Sequence, residues 1–216
     1  MTRSPVLAST LWLVLLAAGL PLAQRADATS YQVDPAQSRV LIQVGKSGAF
    51  SFLAGHVHEV ETHAIQGIVH FDPQDTVRSS VRVEIDAATL RVTGKGEPPG
   101  DVPKVQEVML SDRVLDVRRY PTIVFQSRRV DRQSADSGAL ALVLTGDLTL
   151  HNVTRSLAVP LAVRVEGDTL TASGHFSIKQ TDYGITPITV AGVVTVKDAL
   201  EMAFTIVAAT RLVHAK

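Results

Sequence analysis

The chain has 216 residues, enough for one domain with a hydrophobic core of ordinary size. Its 21 basic and 21 acidic residues balance and form no block of like charge, so the sequence does not favour nucleic acid or an anionic membrane surface as a partner. It contains no cysteine, which excludes disulfides, thiol chemistry and iron–sulfur sites.

The start of the chain has the three-part pattern of a secretory signal peptide. Arg3 supplies a positive charge, residues 6–22 are almost wholly apolar, and Ala26-Asp27-Ala28 gives an A-x-A cleavage pattern. The apolar run is marginally short for a retained membrane helix, which needs about 20 residues. We therefore predict that residues 1–28 are removed, that residues 29–216 form a single domain without a transmembrane anchor, and that the protein is periplasmic or secreted.

The rest of the chain is dominated by alternation of apolar and polar residues with a period of two, which predicts half-buried strands. The clearest alternation places Val81, Val83 and Ile85 on one side, against charged residues on the other. The passage from residue 48 to residue 60 is irregular but apolar. The predicted strands cover residues 40–44, 65–71, 81–86, 122–130, 140–150, 157–165, 169–178, 190–197 and 200–209.

One stretch, residues 104–117, favours a helix, because Val105, Val108 and Met109 recur at helical spacing. Many strands, turn signals between them and one short helical insertion predict an all-β fold, a barrel or a sandwich. A barrel of the outer membrane would carry aromatic girdles at both interfaces, but aromatic residues are only 5% of the chain. A barrel outside the membrane is therefore favoured.

A long hairpin is predicted over residues 138–165. Its first arm places Leu140, Leu142 and Leu144 on one side, and its second arm places Leu161, Val163 and Val165 there. His151-Asn152 is the predicted two-residue reversal, because Asn tolerates positive φ. Alternation cannot show what the apolar face covers, since a barrel of about eight strands either fills its interior or holds one ligand. A ligand-free interaction module therefore remains an alternative.

His56 and His58 are candidate metal ligands. In an extended strand their side chains would point to the same side, roughly 6.5–7 Å apart. Two such imidazoles could bind Zn²⁺ or Cu²⁺, but a site needs a third or fourth ligand. A metal-binding protein or metal-dependent enzyme is therefore an alternative function, against the simpler interpretation of polar histidines at the rim of a barrel.

Seven short motifs follow one another in a characteristic order: Tyr31-x-Val-Asp-Pro-x-x-Ser38, Gly67-x-Val-x-Phe-Asp72, Val81-x-Val-x-Ile-Asp86, Ser111-x-x-x-Leu-Asp116, Arg119-Tyr-Pro-x-Ile-x-Phe-x-Ser127, Gly146-Asp-Leu-Thr-Leu-x-x-Val-Thr154 and Asp182-Tyr-Gly184. Together they resemble the YceI-like family of exported, lipid-binding β-barrel proteins, also called polyisoprenoid-binding proteins. The resemblance covers residues 30–210.

The resemblance implies a lipocalin-like antiparallel barrel of about eight strands whose interior is an apolar tunnel for an isoprenoid lipid, a quinone or a similar chain. It implies no catalytic residues and no required cofactor, so we expect a binding protein rather than an enzyme. The oligomeric state stays open, with a homodimer as one alternative. The residues expected to contact the ligand are Val40, Ile42, Val44, Val83, Ile85, Phe125, Leu142, Leu144, Leu148, Leu161, Val163, Phe176 and Phe204, with Phe50, Phe52, Leu53, Met109 and Leu110 near an entrance.

The chain departs from the common family pattern in two places, residues 104–110 and residues 55–58. Many members carry an Arg-Asp-x-His-Leu-like segment at the first place and lack histidine at the second. Both departures fall where the mouth of the tunnel is expected, so the resemblance leaves the head group of the ligand undetermined.

Overall fold

The computed structural model describes residues 28–47, 58–133, 139–190 and 194–210. Short 3-10 turns lie at Thr76–Arg78, Ala87–Thr89 and Thr181–Tyr183, and one α-helix, α1, spans Val102–Leu110. The strands are β1 (Thr29–Val33), β2 (Arg39–Ser47), β3 (His58–Thr62), β4 (Ile65–Phe71), β5 (Ser80–Asp86), β6 (Arg91–Val92), β7 (Thr122–Arg132), β8 (Leu140–Leu150), β9 (Val153–Glu166), β10 (Thr169–Lys179), β11 (Thr189–Val190) and β12 (Val194–Thr210).

Eight antiparallel strands form a closed ring in the order β1, β4, β5, β7, β8, β9, β10 and β12, and β12 pairs back to β1. β1 and β2 lie end to end along β12, and β4 and β3 lie end to end along them in turn. Closure leaves the ring without an open edge, which is how antiparallel barrels satisfy their backbone groups. The predicted all-β antiparallel barrel of about eight strands is confirmed.

The predicted hairpin is formed by β8 and β9, with Leu150 paired to Val153 across the reversal. His151 and Asn152 have φ values of 52° and 60°, the left-handed pair that a tight two-residue hairpin turn requires. Val165 lies on the predicted side, opposite the buried Leu170 of β10, but the residue is 40% exposed. It lies two residues beyond Val163, the last residue of β9 that pairs with β8.

The helix is shorter than predicted and begins earlier. Pro103 occupies its first turn, where a missing backbone N–H costs nothing. It ends at Leu110 because Ser111 is extended, and residues 111–119 continue as turns. Among the described residues no helix is long and apolar enough to cross a membrane.

α1 packs over one end of the barrel. Its residues Val102, Val105 and Met109 pack against the buried residues Val60, Leu90 and Val92. Gln106 adds two hydrogen bonds, because its Oε1 accepts from the Val92 backbone N–H at 2.8 Å and its Nε2 donates to the Leu90 carbonyl at 2.9 Å. We call this end of the barrel the α1 end.

The hairpin reversal can be tested at Asn152. Replacing Asn152 with Val should lower the free energy of unfolding by about 1–2 kcal/mol, because a β-branched residue is strained in the left-handed region. Urea unfolding followed by far-ultraviolet circular dichroism measures the change. Asn152→Gly is the matched control and should be at least as stable as the parent protein. Equal stability of the Val and Gly variants would contradict the assigned turn.

Candidate functional site

The barrel encloses a cavity of about 660 Å³. This volume lies within the range of roughly 300–1,000 Å³ that is typical of small-molecule sites. Its wall is almost entirely apolar, because one side of every strand in the ring points inward and the sequence places its apolar residues on that side. The cavity is therefore suited to an apolar ligand.

Most of the residues predicted to contact a ligand meet at this cavity. The ones that line it are Val40, Ile42, Val44, Val83, Ile85, Met109, Phe125, Leu142, Leu144, Leu148, Leu161, Val163, Phe176 and Phe204. Leu110 is half-buried at the end of α1, outside this lining. Phe50, Phe52, Leu53 and His56 lie outside the described residues. Ligand contact by any of these residues stays a prediction.

The lining also contains residues that the sequence analysis did not single out. Five of them are Val69, Phe71, Leu170, Ala172 and Met202. The signal was present for these five, because each lies on the inward side of a strand whose alternation is visible in the sequence. Four further additions, Val105, Val108, Lys104 and Arg113, come from α1 and the turn after it. No alternation places them there.

The two ends of the barrel differ in how tightly their inward residues pack. At the end opposite α1, which we call the packed end, Val130 and Leu170 are each 1% exposed and Ala208 is fully buried. Towards the α1 end, Ile42, Met202 and other inward residues are only half-buried although they point into the barrel. The more open part of the cavity therefore lies towards the α1 end, although Val60 and Leu90 are buried there too, and the lining reaches down to Val130 and Leu170.

Two glycines make room for aromatic rings against the wall. A Cβ atom at Gly174 would lie 2.9 Å from Cζ of Phe204, and a Cβ atom at Gly146 would lie 2.6 Å from Cζ of Phe125. Each ring thus covers a glycine of another strand, an arrangement known to fill the gap that a missing side chain leaves. Phe176 meets Phe204 edge to face with ring centroids 6.3 Å apart. The phenylalanine side chains therefore lie against the barrel wall.

A polar pair lies beside the cavity at its α1 end. His58 Nδ1 is 2.9 Å from Glu97 Oε1, and the Glu97 side chain is only 1% exposed. The two side chains therefore form a hydrogen-bonded pair beside the cavity. Neighbouring Glu59 accepts from Thr93 Oγ1 at 3.2 Å and pairs with Lys95 Nζ at 3.3 Å. The buried acids here already have partners.

The described part of the chain contains no cluster of three or more His, Asp or Glu residues that could hold a metal ion. His58 is placed beside the cavity, and its Nδ1 is engaged by Glu97. His56, the other proposed ligand, lies outside the described residues. Metal binding through these two histidines stays a prediction.

Residues 31–208 match the family model of the YceI-like domain. The chain belongs to the YceI-like family. A UPF0312 protein of Vibrio cholerae serotype O1 is 27% identical over 152 residues, which cover 69% of this chain and 71% of the relative.

Solved structures share the YceI-like fold. Burkholderia cenocepacia BcnA superposes with a TM-score of 0.63 and 21% identity, over 81% of this chain and 98% of that one. A polyisoprenoid binding domain from Saccharophagus degradans, described as implicated in plant cell wall breakdown, gives a TM-score of 0.62 and 14% identity, over 84% and 99% of the two chains. At these sequence identities the comparison shows a shared fold.

The polar residues of the YceI-like motifs hold the barrel together. Buried Ser38, at the break between β1 and β2, accepts from the Val207 backbone N–H of β12 at 3.0 Å. Ser127, at a register shift in β7, accepts from the Val81 N–H at 2.8 Å. Asp72 Oδ1 accepts from the N–H groups of the next turn. The motifs therefore satisfy backbone groups where regular pairing is interrupted.

Replacing Ser38 with Ala should lower the free energy of unfolding by about 1–3 kcal/mol, because the half-buried Val207 N–H loses its acceptor. Binding of an apolar probe to the cavity should stay unchanged at temperatures where the variant is folded. Ser173→Ala, on the exposed face of β10, is the control and should cost little. Urea unfolding and probe titration separate the two effects, and a Ser38 variant of parental stability would contradict this role.

Proposed function

We propose that this protein is an exported, non-catalytic carrier that holds the apolar chain of an isoprenoid-type lipid or quinone inside its barrel, for storage or transport. One observation carries the proposal: an apolar cavity of about 660 Å³ is enclosed by the strands and has free space towards the α1 end. A solid interaction module would instead bury its inward residues throughout, as at the packed end.

The chemistry of the wall suits a long hydrocarbon chain. Burial of each CH₂ group contributes about 0.8 kcal/mol, so a chain of several isoprene units offsets the cost of its own ordering with few polar contacts. Aromatic rings and branched aliphatic side chains form the surface that such a chain would touch. The polyisoprenoid binding domain of Saccharophagus degradans, which shares the fold, supports the same ligand class.

Export is part of the proposal. The first strand begins at Thr29, directly after the proposed cleavage site, and pairs from its first residue with Phe71. Cleavage would leave residues 29–216 with a net charge of −1, because the leader contains two basic residues and one acidic residue. The intact mass of the protein from the periplasm or medium should match a chain that begins at Thr29. A mass that includes residues 1–28 would contradict export by cleavage.

The decisive experiment is native mass spectrometry of the processed protein from its own cells, followed by organic extraction and lipid analysis. We expect a stoichiometric adduct that extraction releases as an apolar lipid. A protein of bare mass with no extractable lipid would overturn carriage. A metal-sized mass increment that disappears in a His56→Ala/His58→Ala variant would instead support the metal-binding alternative.

The same substitution at two alanines distinguishes free space from packed core. Ala172 lines the cavity and is half-buried, whereas Ala208 is fully buried at the packed end. Ala172→Trp should reduce lipid occupancy and change stability little, because the ring enters free space. Ala208→Trp should cost about 1–3 kcal/mol or more through overpacking. Lipid extraction and urea unfolding measure both, and equal destabilisation by the two variants would contradict a tunnel at Ala172.

A further inference from the structure

We infer that the lipid carried in the cavity has an anionic head group, a phosphate or a carboxylate, which Lys104 and Arg113 hold at the α1 end. The inference rests on the proposed function and adds to it the chemistry of the part of the ligand that the apolar wall does not recognise.

The charges around the cavity are of one sign. Lys104 and Arg113 line it, and in the part of the chain that the structure describes no acidic residue does. The remaining polar members of this described lining are His58, His70, Ser79, Gln180 and Thr189. Both residues are exposed, so their charges are solvated and screened by salt. Two cations at such a place favour an anion.

Both cations are available to a ligand. Lys104 Nζ lies 3.5 Å from Asp101 Oδ1, and both side chains are largely exposed, which makes this a weak surface pair. Among the described residues, the Arg113 guanidinium has no hydrogen-bond or ion-pair partner, while its backbone N–H is fixed by Ser111 Oγ at 3.2 Å. Arg119 nearby is, by contrast, paired with Asp116 at 3.6 Å.

The two cations lie next to apolar lining residues in the sequence, an arrangement that suits an amphiphilic ligand. Lys104 lies one helical turn from Val108 and next to Val105, both of which line the cavity. Arg113 precedes Val114 and Leu115, which line it too. Long basic side chains can lay their stems along such apolar surface and keep their charge at its edge. A lipid in the cavity would therefore meet apolar wall along its chain and positive charge at its head.

The acids at this end do not cancel this charge inside the cavity. Asp101, Glu107 and Asp112 are exposed and lie outside the lining. Glu97 is buried but is engaged by His58 Nδ1. With a neutral head group, Lys104 would keep only its weak surface pair with Asp101 and Arg113 would have no ion-pair partner among the described residues, so the anionic ligand is the better match.

A matched pair of probes tests the inference: geranylgeranyl phosphate and geranylgeraniol, which share one tail and differ in head group. Each displaces the neutral dye N-phenyl-1-naphthylamine from lipid-free processed protein, below the concentration at which the probes form micelles. The phosphate should bind about tenfold or more tightly than the alcohol, because charge-assisted hydrogen bonds are the strong ones. Its advantage should shrink at high salt.

The variant Lys104→Ala/Arg113→Ala should lose this advantage, and its affinity for geranylgeraniol should fall much less than its affinity for geranylgeranyl phosphate, because it loses two charges at the edge of the cavity and no apolar side chain. Lys104→Glu/Arg113→Glu should prefer the alcohol. The control Arg164→Ala/Lys179→Ala removes the same charge from exposed strand positions outside the lining and should behave like the parent. Circular dichroism confirms that each variant is folded.

The outcomes separate the two proposals. If neither probe displaces the dye from the parent protein, carriage of an isoprenoid chain is wrong. If both probes bind equally, or if the preference for phosphate survives in Lys104→Ala/Arg113→Ala, carriage stands and the head-group inference is overturned. At constant ionic strength, replacing chloride with inorganic phosphate should not weaken binding of geranylgeranyl phosphate. Competition by it would show that the cations take a free anion instead of a lipid head group, and would also overturn the inference.

Discussion

The pairing of β1 with β12, which places Tyr31 opposite Thr210, closes the sheet, and the interior of this protein depends on it. A sheet that closes with eight strands has an inside whose width is set by strand number and tilt, and every inward residue faces it. Closure also leaves the ring without an open edge along which other chains could add. The same backbone pairing thus provides both the stability of the fold and the boundary of its cavity.

The size and packing of the side chains divide that interior into a packed part and a more open part. Tyr31, Phe71, Leu170 and their neighbours pack to near-complete burial and form a floor. Towards α1 the phenylalanine rings lie over inward-facing glycines, so large side chains coexist with free space. Packing density is usually uniform in protein cores, and a half that departs from it needs a physical reason. Occupation by an apolar chain is the reason that we propose.

Polar residues fall into two groups with different tasks. The serines and aspartates of the family motifs satisfy backbone groups at breaks and turns, so they specify the barrel without selecting a ligand. His58, Lys104 and Arg113, the polar residues around the α1 end, are not among the residues that satisfy these backbone groups. The fold and the head-group selection that we propose therefore depend on different residues.

Period-two alternation and an Asn at a tight reversal were enough to predict most of the strands, the β8–β9 hairpin and most of the apolar wall, because these are local properties of the chain. β1 and β3 were not predicted, and the predicted strands 190–197 and 200–209 lie mainly in the single strand β12. Closure of the barrel, the packed floor and the free space could not be predicted from the sequence, because alternation is the same for a filled and an open barrel. The exposure of Val165 also depends on the tertiary structure. So does the contact between His58 and Glu97, which are 39 residues apart in the sequence. The position of α1, and with it Lys104 and Arg113 at the cavity, is set by packing between residues distant in sequence, which only the tertiary structure decides.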